Sequence, residues 1–228
     1  LNSSIHGNEL NGLQIIHEII DGLNPAELKG TIVAIPGANP AGMLGATRSI
    51  PVRDDNDMQT NLNRVFPGKE QGNVAERHAW LLWNKLYAGN VDYAYDLHSN
   101  ITNAQFPLFI YADYSKPQIR RIAELIPADI IDTDENGAKG TLETTFVQAG
   151  IPAITLEAGQ AQQYNADYIN RSVIGIRNMM IDLKMIQGAI GKTAKQHNAF
   201  YGNTVYEHLA RASGQIEPKL KVGDPVKK

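Results

Sequence analysis

Apolar and polar residues form two different patterns along the chain. Short β-branched runs are separated by longer stretches in which apolar residues recur about every 3.6 positions, as they do on one face of a helix. Helices are predicted over 10–23, 74–87, 117–126, 142–149 and 166–187, and strands over 31–35, 93–97, 108–111, 128–131 and 153–156, with another strand ending at Ile5. This alternation of strands with helices predicts an α/β fold.

Residues 1–190 are predicted to form one domain, because no repeat or low-complexity segment interrupts this pattern. Beyond Gly191 the composition shifts to Thr, Val, Gly, Pro and Lys in short alternating segments, which indicates that residues 191–228 open a small C-terminal β module. Residues 36–72 are rich in Gly, Pro, Asn and Asp and lack periodicity. Loops this long inside a compact domain are usually functional, so we expect residues 36–72 to line the site.

The composition narrows the classes of function. With 43% hydrophobic residues, the chain of 228 residues can bury one substantial core. Its formal charge of -3 provides no basic surface of the kind that nucleic acids require, so we expect no nucleic-acid partner. No apolar stretch approaches the ~18 residues of a membrane span, so we expect no membrane association and favour a cytoplasmic location. A homo-oligomer is compatible with the sequence.

The first candidate chemistry is a metal site near the start of the chain. Since the chain has no cysteine, only His, Asp and Glu side chains could hold a metal ion. His6 and Glu9 are three residues apart where a strand should end and a helix begin, so both side chains can point toward one zinc ion. A catalytic zinc needs a third protein ligand and one open position. Alternatively, His6 is an ordinary histidine at a helix start, and Glu9 is a first-turn acid favoured by the helix dipole.

Two predicted strand ends supply a third ligand and a base. Asp96 and His98 end one strand, at the edge where α/β sheets place ligands, and both point to the same side, so Asp96 could orient His98. Glu157 ends the strand 153–156 and is the candidate base, because a carboxylate can take a proton from a zinc-activated water and pass it to the leaving nitrogen. Each acid could instead be an ordinary strand-end residue that accepts bonds from backbone amides.

The long loop contains candidate substrate-binding residues. Asn63 and Arg64 place an amide beside a guanidinium, whose planar fork matches a carboxylate and could hold that of an amino-acid substrate. Arg48 and Arg53 could polarise the scissile carbonyl and stabilise the oxyanion, and the sequence does not choose between them. The alternative for each arginine is a solvated loop position.

Five segments together resemble the succinylglutamate desuccinylase and aspartoacylase family, a branch of the zinc carboxypeptidase fold. They occur in the family's order and span essentially the whole chain, and they are Ile5-His6-Gly7-Asn8-Glu9, Asn39-Pro40, Asn61-Leu62-Asn63-Arg64-Val65-Phe66-Pro67-Gly68, Asp96-Leu97-His98 and Thr155-Leu156-Glu157-Ala158-Gly159. The resemblance implies a mixed, twisted sheet flanked by helices and a zinc-dependent deacylase of small N-acyl amino acids. It also implies one Zn²⁺ per chain held by His6, Glu9 and His98, with Glu157 as base and Asn63 and Arg64 as substrate-carboxylate binders.

One position departs from the family pattern. Members commonly read Asp-Leu-Asn-Arg, in which the Asp supports a zinc-bound histidine, but this chain has Asn61. An amide at this position leaves the histidine less basic. Asp54, Asp55 and Asp57 are the acids that could substitute for the missing carboxylate.

Two other functions compete with the deacylase. A metallocarboxypeptidase would share the metal and the Asn63-Arg64 clamp, although the short spacing between His6 and His98 resembles the deacylase branch. A metal-free binding protein that keeps the fold without the chemistry is favoured only by Asn61. Metal analysis and hydrolysis assays separate these hypotheses.

Overall fold

The computed structural model describes residues 1–52, 60–102, 104–133, 135, 137–204, 211–214, 217, 219–221 and 223–226. Its strands are β1 (Asn2–Ser3), β2 (Ala94–Asn100), β3 (Leu108–Tyr111), β4 (Ile130–Asp132), β5 (Ala153–Gln160) and β6 (Phe200–Gly202). Its α-helices are α1 (Asn11–Asp21), α2 (Pro40–Gly45), α3 (Val74–Leu82), α4 (Pro117–Glu124), α5 (Leu142–Gln148), α6 (Ala166–Asp182) and α7 (Ala194–His197). A 3₁₀ turn covers Leu62–Arg64, and a π-helical turn, Trp83–Tyr87, continues α3.

These strands form one mixed sheet in the order β1-β2-β5-β3-β4-β6. Strands β1, β2 and β5 run parallel, β3 runs antiparallel to β5, and β4 and β6 run parallel to β3. The prediction of a mixed, twisted sheet flanked by helices is therefore confirmed.

The two faces of the central strands differ in chemistry. Since side chains alternate along a strand, Ile154 and Leu156 of β5 face α1 and α6 in the larger apolar core. The opposite face carries Ala153 in a second cluster with Phe146 of α5, followed toward the strand end by polar residues. This second face is polar where β2 and β5 reach their carboxyl ends, and it carries the site.

Two predicted elements differ in the structure. The segment 31–35, predicted as a buried strand, is a half-buried edge segment that forms only an isolated bridge between Ile35 and Asn2, because β1 offers just two residues for pairing. The helix predicted to reach residue 187 ends at Asp182. The apolar spacing that predicted a longer helix continues past Asp182. The chain nevertheless turns at Lys184, with φ of 60°, and the amide of Met185 donates to the Met180 carbonyl.

The main sheet continues past residue 190, where a domain boundary is predicted, and the division into two domains stays a prediction. Strand β6 pairs with β4, and Arg171 of α6 lies 3.0 Å from Asp129, which also contacts His197 of α7 at 2.9 Å. Residues up to 202 thus extend the main sheet. The β module beyond them stays a prediction, and much of it lies outside the described residues. In the parts of the chain that the structure describes, no helix is long and apolar enough to cross a bilayer.

Candidate metal centre and active site

The carboxyl ends of three parallel strands bring the candidate residues together. After β1 the chain turns at Ser4, with φ of 54°, and presents His6 and Glu9 before α1 begins. A side chain at Gly12 would meet Leu97 and Ser3 at 2.8 Å, so this glycine lets the start of α1 pack directly on β1 and β2. His98 and Glu157 are register partners on β2 and β5.

His6, Glu9 and His98 converge on one buried point. Nδ1 of His6 lies 2.7 Å from Oε1 of Glu9, and Nδ1 of His98 lies 2.8 Å from Oε2. One ligand atom from each residue lies within 4.8 Å of the others. The His6 contact lacks hydrogen-bond geometry, so this buried Nδ1 has no hydrogen-bond partner in the parts of the chain that the structure describes. Two imidazoles and a carboxylate in this arrangement suit a zinc ion.

The far side of each imidazole is held by a different partner. Nε2 of His98 lies 2.9 Å from Oδ2 of Asp96, whereas Nε2 of His6 lies 3.1 Å from Oδ1 of Asn61. We assign both nitrogens as donors, because carboxylate and amide oxygens accept hydrogen bonds. His98 is therefore supported by a carboxylate and His6 by a neutral amide, so the two imidazoles differ in basicity.

The carboxylate of Asp96 is itself fixed by a buried chain of hydrogen bonds. Asn2 donates through Nδ2 to Oδ1 of Asp96 at 2.8 Å, and the Tyr87 hydroxyl donates to Oδ1 of Asn2 at 2.7 Å. All of these side chains are buried. Neither Asn2 nor Tyr87 was predicted from the sequence to belong to the site. For Asn2, the signal that could have indicated this role is a polar residue inside the first strand.

Burial and charge shift the pKa values of the site in opposite directions. Burial lowers the pKa of His6, and Glu9 offsets only part of this effect. Burial also opposes a charge on His98, but the carboxylates of Asp96 and Glu9 prevail and raise its pKa well above 6.5. For Glu9, burial favours the neutral acid, yet His6 and His98 hold its pKa below the usual range. These opposite shifts favour an ionised Glu9 beside a protonated His98.

Glu157 stands beside this cluster, and one of its carboxyl oxygens accepts no hydrogen bond from the described residues. That oxygen, Oε2, is buried. Burial raises the pKa of Glu157 to about 8, a rise that His98 opposes and Glu9 reinforces. A carboxyl group with a pKa near neutrality, in register with His98, is suited to accept and return a proton.

Of the two arginines that could polarise the scissile carbonyl, Arg48 lies among the described residues. Nη1 of Arg48 lies 2.7 Å from Oε1 of Glu9, and its side chain is about one-third exposed, so it stands at the rim of the cluster. Arg53 lies outside the described residues, as do Asp54, Asp55 and Asp57.

Asn63 lies inside the site and Arg64 at its surface. Oδ1 of Asn63 accepts from the Leu142 amide at 2.9 Å, and its Nδ2 lies 3.4 Å from Nε2 of His98. The latter is a polar contact, because that nitrogen already donates to Asp96. Arg64 is exposed and donates to the Asn63 carbonyl at 2.7 Å. Its guanidinium therefore remains accessible to a carboxylate from solution.

A mixed α/β sheet with polar side chains converging at the carboxyl ends of its central strands is the architecture of enzymes that bind small substrates at that edge. The chain belongs to the family of the succinylglutamate desuccinylase/aspartoacylase catalytic domain, whose model matches residues 1–183. This match confirms the resemblance read from the five sequence segments.

Curated relatives and solved structures agree with this assignment. The chain is 28% identical to a succinylglutamate desuccinylase of Pseudomonas paraeruginosa over 80% of its length, and 27% identical to an N-alpha-acetyl-L-2,4-diaminobutyric acid deacetylase of Halomonas elongata over 97%. It spans 57% and 65% of the length of these relatives.

Among solved structures, the chain resembles a product-bound ectoine utilization protein EutE (DoeB) of Ruegeria pomeroyi, with a TM-score of 0.76 at 21% identity, covering 88% of this chain and 60% of that one. An aspartoacylase family protein of Mesorhizobium loti gives a TM-score of 0.69 at 27% identity, covering 84% and 59%.

Proposed function

We propose that the chain is the catalytic domain of a zinc-dependent amidohydrolase that cleaves the amide bond of a small N-acyl amino acid, yielding a carboxylate and the free amino acid. The observation that carries this proposal is the convergence of His6, Glu9 and His98 beside the unpartnered oxygen of Glu157. Membership of the deacylase family supports the same reaction class.

His6, Glu9 and His98 would hold the zinc ion, and the unpaired Nδ1 of His6 is the observation that favours a metal there. When bound, zinc would acidify a water molecule and polarise the scissile carbonyl. Three protein ligands leave a position open, which is the coordination expected of a catalytic rather than a structural site.

The chain's own residues would divide the remaining work. Glu157 takes a proton from the attacking water and returns it to the leaving nitrogen, which a pKa near neutrality favours. Arg48, at the rim beside Glu9, stabilises the negative charge that develops on the carbonyl oxygen. Arg64, with Asn63 beneath it, binds the free carboxylate of the amino acid and so orients the amide.

The names of the two curated relatives leave the substrate's side chain open. One is named for succinylglutamate, which has an anionic side chain, and the other for N-acetyl-diaminobutyric acid, which has a cationic one. The same two names leave open whether the acyl group is succinyl or acetyl.

The test is a panel of N-acetyl and N-succinyl amino acids, assayed after metal removal by a chelator and after zinc is restored. We expect hydrolysis that is lost with the chelator and recovered with zinc, with near-stoichiometric zinc by elemental analysis. Glu157→Gln should keep zinc and lose hydrolysis by several orders of magnitude, whereas Glu18→Gln, on the exposed surface of α1, should match the wild type. Protein without zinc or turnover would support a metal-free binding function instead, and an active Glu157→Gln would remove Glu157 as base.

A further inference from the structure

Glu143 is a buried acid next to the site that the proposed mechanism does not use. We propose that its carboxylate recognises the side chain of the amino acid and selects substrates whose side chain ends in an ammonium group. This inference rests on the proposed function and specifies the substrate class of the same site.

The first support is the attachment of Glu143 to the substrate clamp. Glu143 lies in the first turn of α5, and the amide of the preceding Leu142 donates to Oδ1 of Asn63 at 2.9 Å. The other end of that Asn63 amide lies 3.4 Å from His98. One side chain therefore bridges the start of α5 and a proposed metal ligand.

The second support is the position of Glu143 along the strands. Its Oε2 accepts from the Thr155 hydroxyl at 3.2 Å. Thr155 shares a sheet face with Glu157 but lies two residues earlier on β5, which places it ~7 Å deeper than the reacting edge. In the proposed binding mode, the amide lies at the edge, Arg64 holds the carboxylate, and the substrate's side chain extends toward this depth.

Tyr111 marks the open side of this face. It pairs in register with Thr155, and 38% of its surface is exposed. Burial raises the pKa of Tyr111 to about 12, with contributions from the charges of Glu157 and Glu143, while Arg64 opposes the rise. The phenol thus lies within electrostatic range of the base, the clamp and Glu143 together.

The third support is the missing positive partner. Among the residues that the structure describes, only the Thr155 hydroxyl donates to the Glu143 side chain, and no Lys or Arg pairs with it. Burial raises the pKa of Glu143 to about 8; the charges of Asp96 and Asp113 act in the same direction, while the Thr155 hydroxyl and the charge of His98 oppose the rise. A ligand ammonium would supply the missing ion-pair partner and let the acid ionise, whereas an anionic side chain would be repelled by the ionised form of Glu143.

The experiment compares side chains of equal length on the zinc-loaded protein. The substrates are Nα-acetylornithine, N-acetylnorleucine, in which a methyl group replaces the ammonium, and N-acetylglutamate. We expect kcat/KM to favour the ornithine substrate over the norleucine substrate by about 10- to 100-fold, the range for a hydrogen bond to a charged group, and to be lowest for the glutamate substrate.

Variants assign this preference to one residue. Glu143→Gln, which keeps the shape, should reduce the preference to a few-fold, and Glu143→Asp should retain most of it. Glu18→Gln should leave it unchanged. Thermal unfolding of each variant checks that the fold is kept.

Direct binding separates the two proposals. Calorimetry with free ornithine and free norleucine should show tighter binding of ornithine to the wild type and equal binding to Glu143→Gln. If norleucine and glutamate substrates are hydrolysed as well as the ornithine substrate, the assignment of Glu143 is overturned while the deacylase function stands. If nothing is hydrolysed, the deacylase proposal fails, and the binding preference alone decides whether Glu143 recognises an ammonium group.

Discussion

The amide that supports His6 offers a direct test of how the metal site is tuned. Asn61→Asp replaces the neutral oxygen that lies 3.1 Å from Nε2 of His6 with a carboxylate of the same shape. The same oxygen also accepts from the Asn63 amide at 2.9 Å, and an aspartate can accept both bonds. The change therefore alters the charge behind the imidazole and keeps the local geometry.

The expected effect is tighter zinc binding. Partners behind a metal-bound histidine typically change metal affinity by about 10- to 100-fold, and the amide already supplies the hydrogen bond, so we expect about 10-fold, or about 1.4 kcal/mol. The gain should depend on pH. The introduced carboxylate would raise the pKa of His6, so protons compete with zinc more strongly in the variant, and the gain should shrink as the pH falls toward that pKa.

The assay is competition for zinc with a chromophoric chelator across a series of pH values. Asn61→Ala, which removes the acceptor, should bind zinc more weakly than the wild type, and Asn84→Asp, an exposed site on the π-helical turn, is the matched control for added charge. Equal zinc affinities for wild type, Asn61→Asp and Asn61→Ala would refute the argument that the partner of His6 tunes the site.

Three further predictions concern the surroundings of the site. Tyr87→Phe should speed zinc loss to a chelator several-fold with little change in KM, because Asn2 and Asp96 lose their anchor; unchanged zinc release would contradict this. Arg64→Ala should raise KM more than it lowers kcat, measured by steady-state kinetics, and an unchanged KM would exclude the clamp. Glu143→Gln should stabilise the metal-free protein in thermal unfolding. The gain in stability should be small below pH 4.5 and grow toward pH 8. Over this range the carboxyl of Glu143 is ionised in the unfolded chain and kept neutral in the folded protein. A gain in stability that does not depend on pH would contradict this prediction.

The residues at strand ends could be predicted because a parallel sheet collects them. His98 and Glu157 each follow an apolar run, and parallel pairing of β2 with β5 places them side by side. The antiparallel direction of β3 had no comparable signal, because a four-residue apolar run reads the same in either direction. The same ambiguity made 31–35 look like a buried strand, since apolar composition does not reveal that its neighbour β1 is short.

The supporting side chains were not predictable for a different reason. No sequence motif connects Asn2, Tyr87 or Glu143 with the proposed ligands, and each has a conventional local reading, such as a helix-end tyrosine or a first-turn acid. Their significance comes from the polar face that β2 and β5 share, where Asp96 lies opposite Thr155 in register. On this face Asn2 and Tyr87 hold Asp96, and Thr155 holds Glu143. Buried polar groups must be paired, yet within the described residues the layer that orients His98 leaves the carboxyl of Glu143 without an ion-pair partner. That missing partner is the physical basis for expecting a cationic substrate.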